Sequence, residues 1–125
     1  MATLTPTLTL ASTDISANET LNLSVTDSLS ILGQSYSFQH VTSGTSTIFL
    51  ANGGWSDRTY VFLHNLSTTS AEIITIELDS GDHAFAKLGA GEFAFFPWDT
   101  SQDLRSDSAS GTPTLEVRVY QAAAA

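Results

Sequence analysis

The chain has 125 residues, a net charge of -9 with four basic residues, and no cysteine. That balance excludes nucleic acid and anionic membrane surfaces as partners, since both need Lys and Arg to meet phosphate, and it excludes disulfides and cysteine-based zinc sites. The length fits one domain with a single modest core.

Ser and Thr make up roughly a quarter of the chain, a mix that favours strands and turns over helices. The opening Met1 to Thr5 shows no basic segment followed by an apolar one, so cytoplasmic synthesis is expected. No apolar run approaches membrane-spanning length. Asn-x-Ser/Thr triplets begin at Asn18, Asn22 and Asn65, but the abundance of Ser and Thr accounts for them.

Alternation of period two begins at once. Leu4, Leu8 and Leu10 alternate with threonines, and Pro6 within that run predicts an edge strand or an extended arm over residues 1–12. Leu21, Leu23 and Val25 share one face of the next strand, opposite Asn22, Ser24 and Thr26. Leu29 to Leu32 follows, with a stop expected at Gly33. Tyr36 to Val41 and Thr47 to Leu50 read as the next two strands, and Asn52-Gly53-Gly54 as a loop.

Thr59 to Asn65 is apolar on both faces, which suits a central strand covered on both sides. Ile73 to Leu78 alternates again and runs into the turn Asp79-Ser80-Gly81-Asp82. His83 to Leu88 and Glu92 to Phe96 bracket Gly89-Ala90-Gly91, so a hairpin turning at Gly89 and Gly91 is expected there. Ser106 to Pro113 reads as a polar loop. Leu115, Val117 and Val119 alternate with Glu116, Arg118 and Tyr120 in a closing strand. The expectation is an all-β, single-domain antiparallel β-sandwich or jelly-roll-like barrel of about eight strands. It would occupy residues 13–121, with 122–125 a disordered tail.

Chemistry-bearing constellations are sparse. Glu77, Asp79, Asp82 and His83 fall within seven residues around one turn, but their spacing matches no established ion motif, and a solvated turn explains them. His64 alternates with Tyr60 and Phe62 and reads as a hydrogen-bonded strand residue. There is no nucleophile elbow and no phosphate-cradling loop, so no enzyme activity and no cofactor are expected.

The stretch Leu88 to Trp98, LGAGEFAFFPW, concentrates the aromatics. Phe93 and Phe95 fall on one face of a strand and Phe96 on the other, so one face needs cover from something besides the core. Leu4, Leu8, Leu10, Phe93, Phe95, Phe96 and Trp98 are therefore candidates for an oligomer or partner interface. The competing reading is a sugar platform. It requires Trp55 and Trp98 to be exposed and coplanar.

The order of elements resembles small virion structural proteins of tailed bacteriophages. The resemblance spans most of the chain, through TLTLASTD, LNLSVTDSLSI, TYVFLHNLS, TIELDSGDH, LGAGEFAFFPW and LEVRVY. The matching bend and turn positions are Asn65, Gly91, Glu92, Phe93 and Pro97, while Ala90 stands where the similar turns carry proline. The resemblance implies a capsid decoration or cement protein on the capsid exterior. Such a protein would bind the major capsid protein, as a homo-oligomer with a trimer favoured, and would be made in the host cytoplasm. A head-tail or tail accessory part and a carbohydrate-binding module are the alternatives.

Overall fold

Strands with one apolar face must stack those faces against a second layer. In the computed structural model, which describes residues 2–16, 19–55, 58–78 and 83–123, they do so as two antiparallel sheets. The strands are β1 (Ala2–Leu4), β2 (Thr7–Ser16), β3 (Glu19–Thr26), β4 (Leu29–Val41), β5 (Thr47–Leu50) and β6 (Arg58–Asn65), followed by β7 (Ile74–Leu78), β8 (His83–Leu88), β9 (Phe93–Asp99), β10 (Leu104–Ser108) and β11 (Thr114–Ala122). The first sheet has the order β1-β4-β11-β6-β9 and the second the order β5-β10-β7-β8. Strands β2 and β3 form a separate two-stranded hairpin.

From β4 onward, every connection except β7 to β8 crosses from one sheet to the other. That is jelly-roll wiring, with eight strands in two four-stranded layers. The sheets stay open, so the molecule is a β-sandwich and not a barrel. The three N-terminal strands are additions to that unit: β1 lengthens the first sheet beside β4, and Pro6 separates β1 from the hairpin.

The core lies between the layers. Val61 and Leu63 from β6, Leu115, Val117 and Val119 from β11, and Trp98 from β9 meet Leu50, Ile74, Ile76, Leu88 and Leu104 of the second sheet. Each such side chain contributes about 1.5–3 kcal/mol by leaving water. Strand β6 sits between β11 and β9, as its two apolar faces predicted. On its outer side, Tyr60 is buried with Ile31 and Ala122, beside Leu4, Leu29 and Tyr120.

Several boundaries differ from expectation. Strand β4 does not stop at Gly33 but runs through it, because β1 and β11 pair with its two ends. The expected polar loop at Ser106 is instead the end of β10, which points Leu104, Ser106 and Ser108 inward. The buried hydroxyls are partnered: Ser106 Oγ lies 3.3 Å from Thr42 Oγ1, and Ser108 Oγ donates to the Ser110 carbonyl at 2.8 Å. At the C-terminal end, Ala122 is buried in β11 and the Ala123 N–H donates to the Ser30 carbonyl, so the ordered strand reaches past the expected boundary at residue 121.

Two measurements test this packing. Leu63→Ala removes a fully buried side chain and is expected to cost about 2–5 kcal/mol in urea unfolding. The second concerns His40, whose imidazole packs beside Phe49 with ring centroids 5.8 Å apart and whose Nε2 has no hydrogen-bond partner among the described residues. Burial lowers its pKa below the ordinary 6.5. The neutral form is favoured in the fold, so this contribution is full above pH 6.5 and is lost as pH falls through the lowered value. His40→Gln is expected to flatten the acid side of the melting-temperature profile.

Candidate functional site

The aromatic strand β9 is entered from a crossing tied at one buried residue, Asn65. Asn65 ends β6, fully buried. Its Nδ2 donates to the carbonyls of Glu72 at 2.9 Å and Leu88 at 3.0 Å, and its Oδ1 accepts from the Ser67 N–H at 3.0 Å. Its backbone N–H donates to the Glu92 carbonyl at 2.9 Å, and its carbonyl accepts from the Gly91 N–H at 3.0 Å. Gly91 takes a positive φ of 79°, which an L side chain rarely adopts. The Glu92 carboxylate turns back to accept from the Gly89 N–H.

This turn is not the expected hairpin. Strands β8 and β9 belong to different sheets, so Gly89 to Gly91 carries the chain across the sandwich. From there the register alternates. Phe93 pairs with His64, Phe95 with Phe62 and Pro97 with Tyr60 on the outer face, while Ala94, Phe96 and Trp98 turn inward. Pro97, lacking an N–H, is tolerated because β9 is an edge strand.

The structure therefore splits the candidate interface residues. Trp98 is 2% exposed, and its indole N–H donates to the Gln102 carbonyl at 2.8 Å. That carbonyl is held by the turn at Asp99, whose Oδ1 accepts from Ser101 N–H and Oγ at 3.0 and 2.7 Å, bonds that hold its carboxyl below the usual range. Trp98 is core, not interface. Phe96 is half-buried against the core and packs edge-on to Phe85, with centroids 5.6 Å apart at 83°. Leu4 is half-buried in the small outer cluster. Phe93, 61% exposed, and Phe95 remain on the surface.

Those two rings build the outer face with β6. Tyr60 and Phe95 stack with centroids 6.1 Å apart at 12°, and Phe62 lies 6.2 Å from Phe93. At one end, His64 Nδ1 is 3.6 Å from Glu116 Oε1. Glu116 also accepts from Arg118 at 3.0 Å and raises the guanidinium pKa.

Over this face hangs the β2–β3 hairpin. Its register, Leu8 opposite Val25 and Leu10 opposite Leu23, puts all four on one side. They are exposed by 47%, 54%, 44% and 43% in that order. Leu8 and Val25 form one wall of a groove of about 650 Å3, and Phe62, Phe93, Phe95 and Tyr120 line the other. Leu4, Leu8, Phe93 and Phe95 of the candidate residues are thus brought to one groove, and Val25 and Phe62 join them. The signal was present in the alternation of both N-terminal strands, but it needed their register.

The sugar-platform geometry is absent from the tryptophan pair: Trp55 and Trp98 meet at 63° with centroids 6.0 Å apart, and Trp98 is buried. Asp79 and Asp82 lie outside the described residues, and His83 is exposed. Among the described residues no group of three or more His, Asp or Glu side chains converges to hold a metal ion.

No family model matches the chain, and no curated protein matches it. Among solved structures, the fold is similar to that of a chain described under the words "Bacillus endospore appendages form a novel family of disulfide-linked pili". The TM-score is 0.52 at 13% identity, over 75% of this chain and 90% of that one. At that identity the likeness concerns the fold.

The knot at Asn65 is testable. Asn65→Asp removes both Nδ2 donors and aims an introduced carboxyl at two carbonyls. It is expected to cost at least about 2 kcal/mol at neutral pH. Its charged form is disfavoured in the fold, so the introduced group's pKa rises on folding. The deficit is smallest at acid pH and grows as pH climbs through that raised value. Urea unfolding at several pH values, beside wild type, measures it.

Proposed function

We propose that this chain is a non-enzymatic structural subunit of a repetitive assembly, specifically a capsid decoration or cement protein. It would bind the major capsid protein on the outside of the shell, with a homotrimer as the favoured form. One observation carries the reading: a jelly roll whose core is complete between its two sheets still exposes Phe93, Phe95, Leu8, Leu10, Leu23 and Val25. Apolar surface of that extent on a small domain marks an interaction site. Spanning seams between capsomers requires area and no chemistry, and a chain of charge -9 gives assembled particles a mutually repelling exterior.

A second reading is favoured by the fold likeness to a pilus chain: this chain is a subunit of a fibre. Lacking cysteine, such a fibre would be held by non-covalent contacts and not by disulfides.

The test is co-expression with the major capsid protein of the genome that encodes the chain. The decoration reading expects the chain to sediment with expanded shells and to raise their melting temperature. Filaments of the chain alone in negative-stain electron microscopy, with no shell binding, would favour the fibre. A chain that does neither overturns the structural-subunit reading.

A further inference from the structure

Among the described residues, strands β2 and β3 pair with each other and with no other strand. A two-stranded hairpin is marginal in water unless its apolar face is covered. The root of this hairpin shows the kind of surface that its apolar face meets. Leu8 and Val25 face Phe62, Phe93 and Phe95 of the same chain across the groove, aliphatic against aromatic. The contact stays unfilled, however, and Leu10 and Leu23, one pair farther out on the same side, do not line the groove at all. The root pair borders the groove, yet all four aliphatic side chains of the hairpin stay more than 40% exposed, so the chain's own sheet does not bury this face.

Charge narrows the choice of occupant. Residues 7–13 and 20–26 carry no ionisable side chain, in a protein with thirteen acidic residues against four basic ones. Two copies of a polyanion repel everywhere except where both surfaces are neutral. The hairpin is one such surface; the Phe62, Phe93 and Phe95 rings offer an apolar centre to match it, bordered by Asp27 and by the Glu116–Arg118 ion pair. The two patches together expose roughly 500 Å2 of apolar side chain per copy, so one donor-on-acceptor contact buries about 500 Å2 in all, and a pair of copies that each donate and receive buries about the 1,000 Å2 of a specific interface.

We infer that the β2–β3 hairpin of one copy seats its Leu8/Leu10/Leu23/Val25 face in the Phe62/Phe93/Phe95 groove of a second copy. This deepens the structural-subunit reading, on which it rests, by naming the partner of the exposed surface. The donor and acceptor patches differ, so the contact is head-to-tail. Such contacts close into a ring when the rotation between copies closes, and otherwise run on as a filament. Shell trimer and fibre are then two outcomes of one contact.

Light scattering of the purified full-length chain tests it. Wild type is expected to show a multiple of the single-chain mass, rising with concentration up to about 200 µM. A donor variant, Leu10→Thr with Leu23→Thr, keeps strand propensity and the acceptor face. An acceptor variant, Phe93→Asp, keeps the hairpin. Each is expected to weaken association at least about thirtyfold. Mixed in equal amounts, the two are expected to form a heterodimer and stop there, because one good donor meets one good acceptor. A wild type that stays monomeric overturns the inference. So does a variant that keeps the wild-type mass, or a mixture that stays monomeric. Tryptophan fluorescence confirms the fold of each variant through buried Trp98.

Hydrogen exchange on wild type gives a reading free of mutation. Protection is expected to rise together at 7–13, 20–26 and 93–95 as concentration increases, and a rise confined to another surface refutes the contact. Shell binding by a chain that remains monomeric would defeat this inference while leaving the decoration reading standing.

Discussion

One buried residue, through its side chain and its backbone together, ties the crossing on which the surface depends. Asn65 closes β6, and from that point its amide holds the loop at Glu72 and the end of β8 at Leu88, while its backbone holds the turn at Gly91 and Glu92. A jelly roll must cross between its layers repeatedly, and each crossing leaves backbone groups without a ladder partner. At this crossing one residue supplies partners to both layers. The consequence reaches beyond the turn. Pairing of the Asn65 N–H with the Glu92 carbonyl fixes the register in which β9 enters the sheet, and register decides which face every following side chain takes. A slip of one residue would bury Phe93 and Phe95 and expose Phe96 and Trp98.

The same register explains why the sandwich has surplus apolar area. Inward, β9 delivers Trp98 to a core already built from Val61, Leu63, Leu115 and Val117. Outward, it delivers two phenylalanines to a face that β6 has also furnished with Tyr60 and Phe62. The small cluster around Tyr60 covers part of that face, because β1 and the end of β11 reach over it. Nothing in the jelly roll itself covers the rest. The N-terminal addition supplies the matching half: after Pro6 ends β1, the chain turns into a hairpin whose aliphatic side lies toward the aromatics but does not close on them.

Much of this was legible in the sequence. The all-β class followed from alternation and from Ser and Thr content. The central place of β6 followed from its two apolar faces, and the split of Phe93 and Phe95 from Phe96 followed from period two. Three features were hidden for identifiable reasons. Strand β10 reads as a loop because its inward positions are serines; they sit in the core only because Thr42 and Ser110 satisfy their hydroxyls. The Gly89–Gly91 turn reads as a hairpin because local residues encode a turn but not the layer to which the next strand belongs. Trp98 reads as surface when grouped with its aromatic neighbours, yet the Asp99 turn presents the Gln102 carbonyl to its indole and lets the ring be buried. In each case a partner distant in the chain, or a turn beyond the strand, decides.

The hairpin makes the same point from the opposite side. Leu8, Leu10, Leu23 and Val25 are each visible as apolar positions, but an amphipathic strand in a sequence promises only that one face will be covered. It does not say by which chain. Within a single copy, the root pair borders the aromatic groove but all four side chains stay exposed, and the chain around them carries a net charge of -9. On the proposed contact, an apolar donor and an apolar acceptor on an acidic body confine association to one geometry. That geometry is asymmetric, and asymmetry is what lets a single small subunit build either a closed ring or an open array, according to the angle at which one copy meets the next.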